Sequence, residues 1–519
     1  MRPSDLRLPE KFTELRPNQA AAIHFLRTSP KRVKALTAPT GFGKTATYVE
    51  DALHHPDEPT CVVTESRALQ TQLTDEFGCV GMVDLRGRHN YPCGMRDDFT
   101  CEDGYAARCL HKGSIWCPAS QAEIRASCSS LVTTNYAKWI HARRFTQGLA
   151  HIKRVVFDEG HRAPEALAQA MQVTLQQKEI EKTLGLDFLP NPESQDFANW
   201  KPWASQARDE AEARMIQARE WIQQSAHPRF SLVKHFHHMR HLTRRLSILA
   251  TAKATNWIVE EIQDGFQFDP ISVGPYAESS LLFRVPHIVI VSATLSPKAL
   301  YMLGIAKDTF DWREYPSDFD PKDCPIYYIP TMRVDRKAPN LAMLWARLDQ
   351  FAAKRRDRNG IVHTGSYLRR DDVLASSRFR DSMLINEKGE PPTEMIDEFR
   401  ATYPGAILVS PSVGSGHDFP GAQCEWQFIS KVPFPPTTKI LEARAALDRE
   451  YPYYLALQTL VQNVGRAVRY KGDRCENVIA DDHIVWMLKH YGHLTPRSFR
   501  GFFKQVRYVP QPPPRIERQ

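Results

Sequence analysis

The chain has 519 residues, of which 42% are hydrophobic and 25% charged, a composition typical of globular proteins. At about 100–200 residues per domain, this length predicts roughly three or four structural units. No apolar run reaches the ~18 residues of a transmembrane helix, and the N-terminus lacks a signal-peptide core, so we expect a cytoplasmic protein that is neither secreted nor bound to a membrane. The net charge of +8 is compatible both with a polyanionic partner and with a mildly basic solvated surface.

Short apolar runs alternate with helical stretches between residues 16 and 160, which is typical of βα units. Each run is rich in β-branched residues and is followed by polar turn residues, which indicates a parallel sheet covered on both faces. The same rhythm returns at His287–Ser292 and continues to residue 480. The predicted strands are 32–37, 60–64, 131–134, 154–157, 287–292, 326–329, 360–363, 407–409, 426–429 and 478–480. We therefore predict an α/β protein with two parallel-sheet domains, residues 1–297 and 298–509.

Two segments interrupt the first α/β half. Residues 79–128 carry five of the ten cysteines and show little periodicity. Residues 162–265 contain long stretches rich in Ala, Glu, Arg and Gln without Gly or Pro, which predicts a mostly helical insertion. The tail, residues 510–519, is rich in Pro and charge and is predicted to be disordered.

The segment Ala38–Thr45 reads APTGFGKT and directly follows a predicted strand, which matches the phosphate-loop pattern with Ala in place of the first Gly. Its glycines, Gly41 and Gly43, let backbone N–H groups face the phosphates of a nucleotide. We expect Lys44 to reach the β- and γ-phosphates and the Thr45 hydroxyl to bind Mg²⁺.

The segment Val155–His161 reads VVFDEGH, a hydrophobic strand that ends in two carboxylates. On its own this pattern could be an acidic turn after a strand. Downstream of a phosphate loop, it predicts that Asp158 holds Mg²⁺ and that Glu159 orients and deprotonates the attacking water.

The segment Gln462–Arg469 reads QNVGRAVR. If the segment is helical, Gln462, Arg466 and Arg469 share one face. Two guanidinium groups on such a face could stabilise charge on a transferring phosphoryl group, as arginine fingers do. The alternative is a helix with solvated arginines.

These motifs, in this order, resemble those of the XPD/DinG group of superfamily 2 DNA helicases, the iron–sulfur helicases. The resemblance covers nearly the whole chain, and its specificity lies in the order and spacing of the motifs. In the family's nomenclature, APTGFGKT resembles motif I, the DEGH of VVFDEGH motif II and QNVGRAVR motif VI. The further matching elements are LRPNQ from Leu15, TESRALQTQL from Thr64 (motif Ia), SATL from Ser292 (motif III), IVHTGSY from Ile361 (motif IV), VGSGHDFPG from Val413 followed by KVPFP from Lys431 (motif V), and VIADD from Val478. The chain departs from the family at Gly160, where the common form has Ala, and at Ser415 and His417, where it has Glu and a small apolar residue.

The resemblance implies two RecA-like domains that close on one ATP with Mg²⁺. It implies that Arg16 and Gln19 contact adenine and that Thr40 belongs to the phosphate-binding motif. It also implies a nucleotide-site role for Gly416 and Asp418, and that residues 79–128 and 162–265 are an iron–sulfur insertion and an Arch-like insertion.

The resemblance further implies an ATP-dependent DNA helicase or translocase that moves 5′→3′ on single-stranded DNA and unwinds forked duplex DNA. Such a protein would work as a monomer, in the cytoplasm or associated with nucleic acid. The alternative is an ATP-driven module that remodels or clamps nucleoprotein, on DNA or RNA, without productive unwinding.

Four cysteines, Cys93, Cys101, Cys109 and Cys117, are separated by seven residues each. From spacing alone, a [4Fe–4S] cluster, a zinc site and no metal are comparable alternatives, although structural zinc sites usually contain tight CxxC pairs. The position of the segment in the family favours the cluster, with these four thiolates as ligands. We interpret Cys128 as a buried thiol outside the ligand set.

Basic and aromatic residues near these motifs are candidates to neutralise phosphates or to stack on bases. They are Arg67, Arg86, Arg88, Tyr91, Tyr136 and Lys138.

Overall fold

The computed structural model describes residues 6–94, 96–107, 109–111, 113–146, 148–191, 193–225, 228–334, 341–385, 389, 393–402, 404–411, 413, 419–468 and 472–513. The strands are β1 Val33–Thr37, β2 Thr60–Thr64, β3 Met82–Asp84, β4 Leu131–Asn135, β5 Arg154–Asp158, β6 Val173–Gln176, β7 Trp257–Ile262, β8 Gly265–Pro270, β9 His287–Ser292, β10 Phe310–Glu314, β11 Ile326–Met332, β12 Gly360–His363, β13 Met383–Leu384, β14 Ile407–Ser410, β15 Trp426–Ile429, β16 Glu476–Asp481 and β17 Phe503–Gln505.

The helices are α1 Pro17–Thr28, α2 Lys44–Leu53, α3 Arg67–Phe77, α4 Cys101–Ala106, α5 Pro118–Cys128, α6 Tyr136–Phe145, α7 Ala163–Met171, α8 Gln177–Leu184, α9 Phe197–Gln224, α10 Phe230–Thr251, α11 Gly274–Ala277, α12 Pro297–Met302, α13 Ala342–Ala353, α14 Tyr367–Ser376, α15 Thr393–Ala401, α16 Lys439–Leu447, α17 Tyr451–Val464, α18 His483–Tyr491 and α19 Arg497–Phe502. Across the described ranges, every helix is too short or too polar to span a lipid bilayer.

The first domain is built on a parallel sheet with the strand order β10-β1-β9-β5-β2-β4-β3. Successive residues of its strands enter two separate core layers: Val155 and Phe157 face one layer, and Val156 faces the other. Because both faces are buried, the strands read as continuous apolar runs rather than alternating ones.

The boundary predicted at residue 297 is too early. Strand β10 pairs in parallel with β1, with Val33 opposite Phe310, so the first sheet continues to Glu314. The chain returns to this sheet after α12 because β1 would otherwise be an unpaired edge.

The second domain is built on a parallel sheet with the order β13-β14-β12-β15-β16-β11-β17. All strands predicted from the sequence are present, within one or two residues at most ends. The prediction of an α/β fold with two parallel-sheet domains is therefore confirmed.

The second insertion contains the long helices α9 and α10, which pack against each other. It also contains an antiparallel sheet with the order β6-β8-β7 that the helical prediction missed. This sheet extends to Pro270, past the predicted end of the insertion at residue 265. Trp200 of α9 is fully buried against Phe268 of β8, with ring centroids 5.0 Å apart, so sheet and helices share one core.

The edges of two other predicted segments also differ. Strand β3 lies inside the predicted cysteine-containing insertion, yet it pairs with β4 in the first sheet, so only residues after Asp84 leave the sheet. Residues 510–513 of the predicted disordered tail lie against the second domain: the carbonyl of Pro510 accepts a hydrogen bond from Arg355 at 3.2 Å, and that of Pro513 accepts one from Arg358. Residues 514–519 lie outside the described residues.

Candidate nucleotide-binding cleft and cysteine module

The phosphate-loop segment connects β1 to α2, and Lys44 is the first residue of that helix. Gly41 and Gly43 have φ values of +74° and +81°, in the left-handed region that favours glycine. This backbone directs N–H groups and the N-terminus of α2 toward one concave surface, which suits a phosphate group. The structure therefore places the glycines and Lys44 as the sequence predicts for a phosphate loop.

Arg16 and Gln19 hold this loop from the N-terminal side. Arg16 donates a hydrogen bond from Nη1 to the Gly41 carbonyl at 2.7 Å, and Gln19 donates from Nε2 to the Gly43 carbonyl at 3.4 Å. Arg16 also lies 3.5 Å from the carboxylate of Asp318 in the segment between the two domains. Both residues thus lie beside the nucleotide loop, where they fix its backbone.

The two carboxylates end strand β5 on the other side of the loop. Asp158 accepts hydrogen bonds from the Tyr48 hydroxyl at 3.2 Å and from the Glu159 amide at 3.0 Å. Burial and the charge of Glu159 raise the pKa of Asp158 to about 6, while the ammonium group of Lys44 lowers it. Two adjacent, partly exposed carboxylates beside one lysine form an oxygen donor set that fits a divalent cation such as Mg²⁺.

The turn after Asp158 explains the departure at Gly160. Glu159 has φ +49°, a strained conformation for a residue other than glycine. A Cβ atom at Gly160 would lie 2.3 Å from Cγ2 of Ile290 in the neighbouring strand. An alanine at this position would therefore require Ile290 of β9 to shift, which glycine avoids.

Four side chains in hydrogen-bond contact connect the Glu159 carboxylate to the second domain. Gln462 Nε2 lies 2.5 Å from His161 Nε2, His161 Nδ1 lies 2.7 Å from Ser292 Oγ, and Ser292 Oγ lies 3.1 Å from Glu159 Oε2. We call these four residues the interdomain relay. Its members come from motifs II, III and VI, and Ser292 was not among the predicted site residues.

The donor and acceptor of each hydrogen bond in the interdomain relay can be assigned. Burial lowers the pKa of His161 to about 4, so its ring is neutral at pH 7. The Ser292 hydroxyl donates to the Glu159 carboxylate and therefore accepts from His161 Nδ1–H. The remaining ring nitrogen, Nε2, then accepts a hydrogen bond from the Gln462 amide.

The two domains enclose a cleft of about 580 Å³ that contains the phosphate loop, Glu159 and the motif VI residues. Lys44 and Thr40 line it from the first domain, and Gln462 and Arg466 line it from the second. The two domains also approach each other at Gly465, where an added Cβ atom would lie 3.0 Å from Thr40 Oγ1. Arg466 is thus placed where a positive charge could reach a bound nucleotide.

The predicted helical face of motif VI is wrong beyond its first turn. Helix α17 ends at Val464, with Gly465 at its C-terminus, so Arg466 lies in the following loop and not on the helix. Glycine is a common helix terminator because its backbone is the most permissive. Arg469 lies outside the described residues, as do Gly416 and Asp418.

The four evenly spaced cysteines come together in pairs. Cys101 Sγ lies 3.2 Å from Cys117 Sγ. The thiols of Cys93 and Cys117 both raise the pKa of Cys109, in addition to its burial, so Cys109 lies close to both of them. Among the described residues, no three metal-ligating side chains already form a complete binding geometry.

The surroundings of these thiols leave space beside the sulfur atoms and affect their pKa values. A Cβ atom at Gly104 would lie 2.6 Å from Cys93 Sγ and 3.6 Å from Cys109 Cβ, so glycine keeps space open between two thiols. Burial raises the pKa of Cys101 to about 12. Burial also acts to raise the pKa of Cys117, but hydrogen bonds from Ser120 outweigh it and lower that pKa, which favours a thiolate.

Two predictions about neighbouring residues need correction. Cys128 is exposed and not buried, because Ala119, Ala122 and Ala126 form the inward face of α5. Tyr136 is buried and stacks on Phe157 with centroids 5.7 Å apart, so it cannot stack on a base.

The other candidate nucleic-acid contacts lie in polar networks around the cysteine module. Arg88 forms an ion pair with Glu123 at 3.0 Å, and Lys138 lies 3.9 Å from the same carboxylate. Arg86 pairs with Asp84, and Tyr91 accepts a hydrogen bond from the Arg86 amide at 3.1 Å. Arg67 is exposed and donates a hydrogen bond to Asn90 at 2.7 Å.

Two family models match the chain. The model of the type III restriction enzyme res subunit matches residues 12–188, and the model of the helicase C-terminal domain matches residues 352–502. No curated protein matches the sequence.

Solved structures of XPD helicases have the same fold. One XPD helicase has a TM-score of 0.64 at 16% identity, with 95% of this chain and 100% of that chain covered. An XPD in its apo form has a TM-score of 0.59 at 16% identity, with 94% of this chain and 99% of that chain covered. Xpd4 of S. tokodaii has a TM-score of 0.59 at 15% identity, with 95% of this chain and 100% of that chain covered.

Proposed function

We propose that this protein moves 5′→3′ on single-stranded DNA and unwinds forked duplex DNA as a monomer. The proposal starts from its membership of the superfamily 2 ATP-dependent helicases and from its XPD-type fold. The observation that carries the proposal is the interdomain relay, which connects the residue that would activate water to the second domain. A motor needs such a link, since hydrolysis must depend on how the two domains stand relative to each other.

In the proposed mechanism, Lys44 and the loop amides bind the phosphates of ATP. Thr45 and Asp158 would hold Mg²⁺, which neutralises phosphate charge when it is bound. Glu159 orients the attacking water and accepts its proton. Arg466 approaches from the second domain to stabilise charge on the transferring phosphoryl group.

The relay makes Glu159 sensitive to closure of the cleft. When the second domain moves away, Gln462 leaves His161, and the neutral ring can turn or exchange its proton. Ser292 then loses the partner that fixes its hydroxyl toward Glu159. We propose that strand-driven closure restores this alignment, so that hydrolysis is fast only on the substrate.

Polarity-resolved unwinding tests the proposal directly. The purified protein is given ATP and duplexes with a 5′ or a 3′ single-stranded tail, and strand separation is measured in a single turnover. We expect separation of the 5′-tailed DNA alone, with ATP hydrolysis stimulated by the strand, and neither activity for Lys44→Ala. Hydrolysis without separation would favour the remodelling or clamping alternative, and DNA-stimulated hydrolysis by Lys44→Ala would contradict the assigned ATP site.

We further propose that Cys93, Cys101, Cys109 and Cys117 hold a [4Fe–4S] cluster. The support is the number of thiols, their pairwise approach and the space kept open by Gly104. When bound, the cluster supplies a covalent cross-link to a module too small to form a core of its own.

Iron content and visible absorption test the ligand set. We expect about four irons per chain and a band near about 400 nm. Cys109→Ser should lose both signals, whereas the exposed Cys128→Ser should keep them and serves as the matched control. Stoichiometric zinc without colour would assign the site to zinc.

The cysteine module and the helical insertion would form two sides of a passage for one strand. Arg240 of α10 pairs with Glu102 of α4, and Phe230 packs on Phe99 with centroids 5.2 Å apart. These contacts join the insertion to the module directly after Cys101, so we propose that they act together as the iron–sulfur and Arch-like insertions of the motor.

A further inference from the structure

Six aromatic rings form a continuous surface on the second domain, which we call the ring surface. It consists of Phe434, Tyr453, His483, Trp486, His490 and Tyr491. Tyr453 and Tyr491 are stacked at 4.1 Å between centroids, and Trp486 and His490 lie 4.7 Å apart. Of these rings only Phe434 lies in a motif segment, KVPFP, and none of them lines the nucleotide cleft.

The outer part of the ring surface is open to solvent. Trp486 is 42% exposed, and His490 is exposed beside it. His483, Trp486 and His490 recur at helical spacing on α18, so one face of this helix presents three rings in a row. A tryptophan held by neighbouring rings, with much of its surface still in water, is a preformed stacking partner.

Cations surround the rings. Burial lowers the pKa of His483, the charge of Asp481 raises it, and the charges of Arg333 and Lys431 lower it, so two cations and one carboxylate lie close to this ring. Arg333 and Lys489 are exposed, and Lys489 is one helical turn from Trp486.

The nearby carboxylates are occupied by inward contacts. Asp481 accepts hydrogen bonds from the amides of Val334 at 3.1 Å and Val432 at 3.0 Å. Asp482 accepts from the Tyr328 hydroxyl at 2.9 Å. Asp481 is buried while Arg333 and Lys489 are exposed, so the cations are the charges nearer to solvent here, which favours a partner that combines flat rings with negative charge.

A second acidic group nearby is also paired. Glu450 lies 2.9 Å from Lys298 Nζ and 3.0 Å from His493 Nε2. It thus does not reverse the positive charge around the rings.

The ring surface lies at a functional edge of the sheet. Phe434 follows the C-terminal end of β15, and His483 follows that of β16. Because the strands are parallel, the loop after β12, which carries the IVHTGSY motif, opens on the same edge. Ligands of open α/β sheets bind at this edge.

We propose that the ring surface binds the bases of single-stranded nucleic acid outside the motor motifs, with Trp486 as the principal stacking residue. The proposal rests on the proposed function, because it extends the path of the strand across the second domain. Stacking of this kind tolerates any base sequence, as a translocating motor requires.

Binding of fluorescent oligodeoxythymidylates of increasing length to the full chain tests the proposal. For Trp486→Ala we expect affinity for long strands to fall on the order of tenfold, the loss of one stacked base, with no change for strands that reach only the motor motifs. Trp486→Phe retains a ring and should recover most of the affinity. Tyr508→Ala, which removes an aromatic ring that is 81% exposed after β17, is the matched control and should bind as the unsubstituted protein does.

Abasic nucleotides give the second measurement, which uses a long strand whose outer segment lacks bases. The unsubstituted protein should bind this strand as weakly as Trp486→Ala does, so the difference in affinity between the two proteins should disappear. Equal affinity of both proteins for every normal strand would overturn the proposal, and so would an equal loss in Tyr508→Ala. A protein that binds no strand at all, with Trp486 intact, would instead contradict the proposed function.

Discussion

Substitution of Ser292 by Ala removes the centre of the interdomain relay. Ser292 is fully buried, and its hydroxyl donates to Glu159 and accepts from His161 Nδ1–H and from the Thr294 amide at 3.1 Å. A hydrogen bond to a charged group is worth about 1.5–3 kcal/mol. If Glu159 loses that much alignment in the transition state, kcat for ATP falls roughly tenfold to a hundredfold.

The same substitution should leave the KM for ATP nearly unchanged, because Ser292 touches the phosphate loop through its backbone carbonyl, which accepts from the Ala38 amide at 3.1 Å and which alanine retains. Steady-state hydrolysis with and without single-stranded DNA gives both constants, and thermal unfolding gives the cost of the lost hydroxyl. Ser280→Ala is the matched control, since it also deletes a buried hydroxyl but lies away from the cleft. An unchanged kcat, together with a loss of stability equal to that of Ser280→Ala, would refute a catalytic role of the relay.

Two further predictions concern buried groups of the second domain. Burial lowers the pKa of His363 to about 4, so its imidazole takes up a proton more readily in the unfolded chain than in the folded protein. The free energy of unfolding should therefore decrease as the pH falls from about 6.5 to about 4. The contribution approaches roughly 3 kcal/mol, and chemical denaturation at several pH values should show a flatter dependence for His363→Gln. Arg355 and Glu476 form a buried ion pair at 2.7 Å, so Arg355→Leu should cost about 3–5 kcal/mol by leaving Glu476 unpaired, whereas the double variant with Glu476→Leu should recover much of the loss. Equal denaturation midpoints for the single and double Leu variants would show that the unpaired carboxylate is not the cause.

The strands were predictable because each is buried on both faces. A run such as Arg154–Phe157 must be apolar throughout to enter two core layers, and this leaves a clear signal in a single sequence. Strand β10 left no such signal. It is an edge strand that reads FDWRE, with only Phe310 buried, so its membership in the first sheet depends on pairing with β1.

The site was predictable where chemistry demands one residue type. Lys44, Asp158 and Glu159 lie together as their motifs predict, because phosphate and water chemistry allow few substitutes. At other positions, the residue type that fits depends on contacts between residues far apart in the sequence. A Cβ atom at Gly160, for example, would collide with Ile290, which is 130 residues away along the chain.

The error at motif VI has a mechanistic consequence. If α17 continued through Arg466, Gln462 and Arg466 would lie on the same rigid helix and would move together. Because α17 ends before Gly465, Gln462 is fixed on a helix while Arg466 belongs to a loop, and the close approach of Gly465 to Thr40 lies between them. Opening of the cleft can therefore break the contact of Gln462 with His161 before Arg466 leaves the nucleotide. The relay would then report the position of the second domain to Glu159 independently of the arginine, which lets strand binding control hydrolysis without releasing ATP.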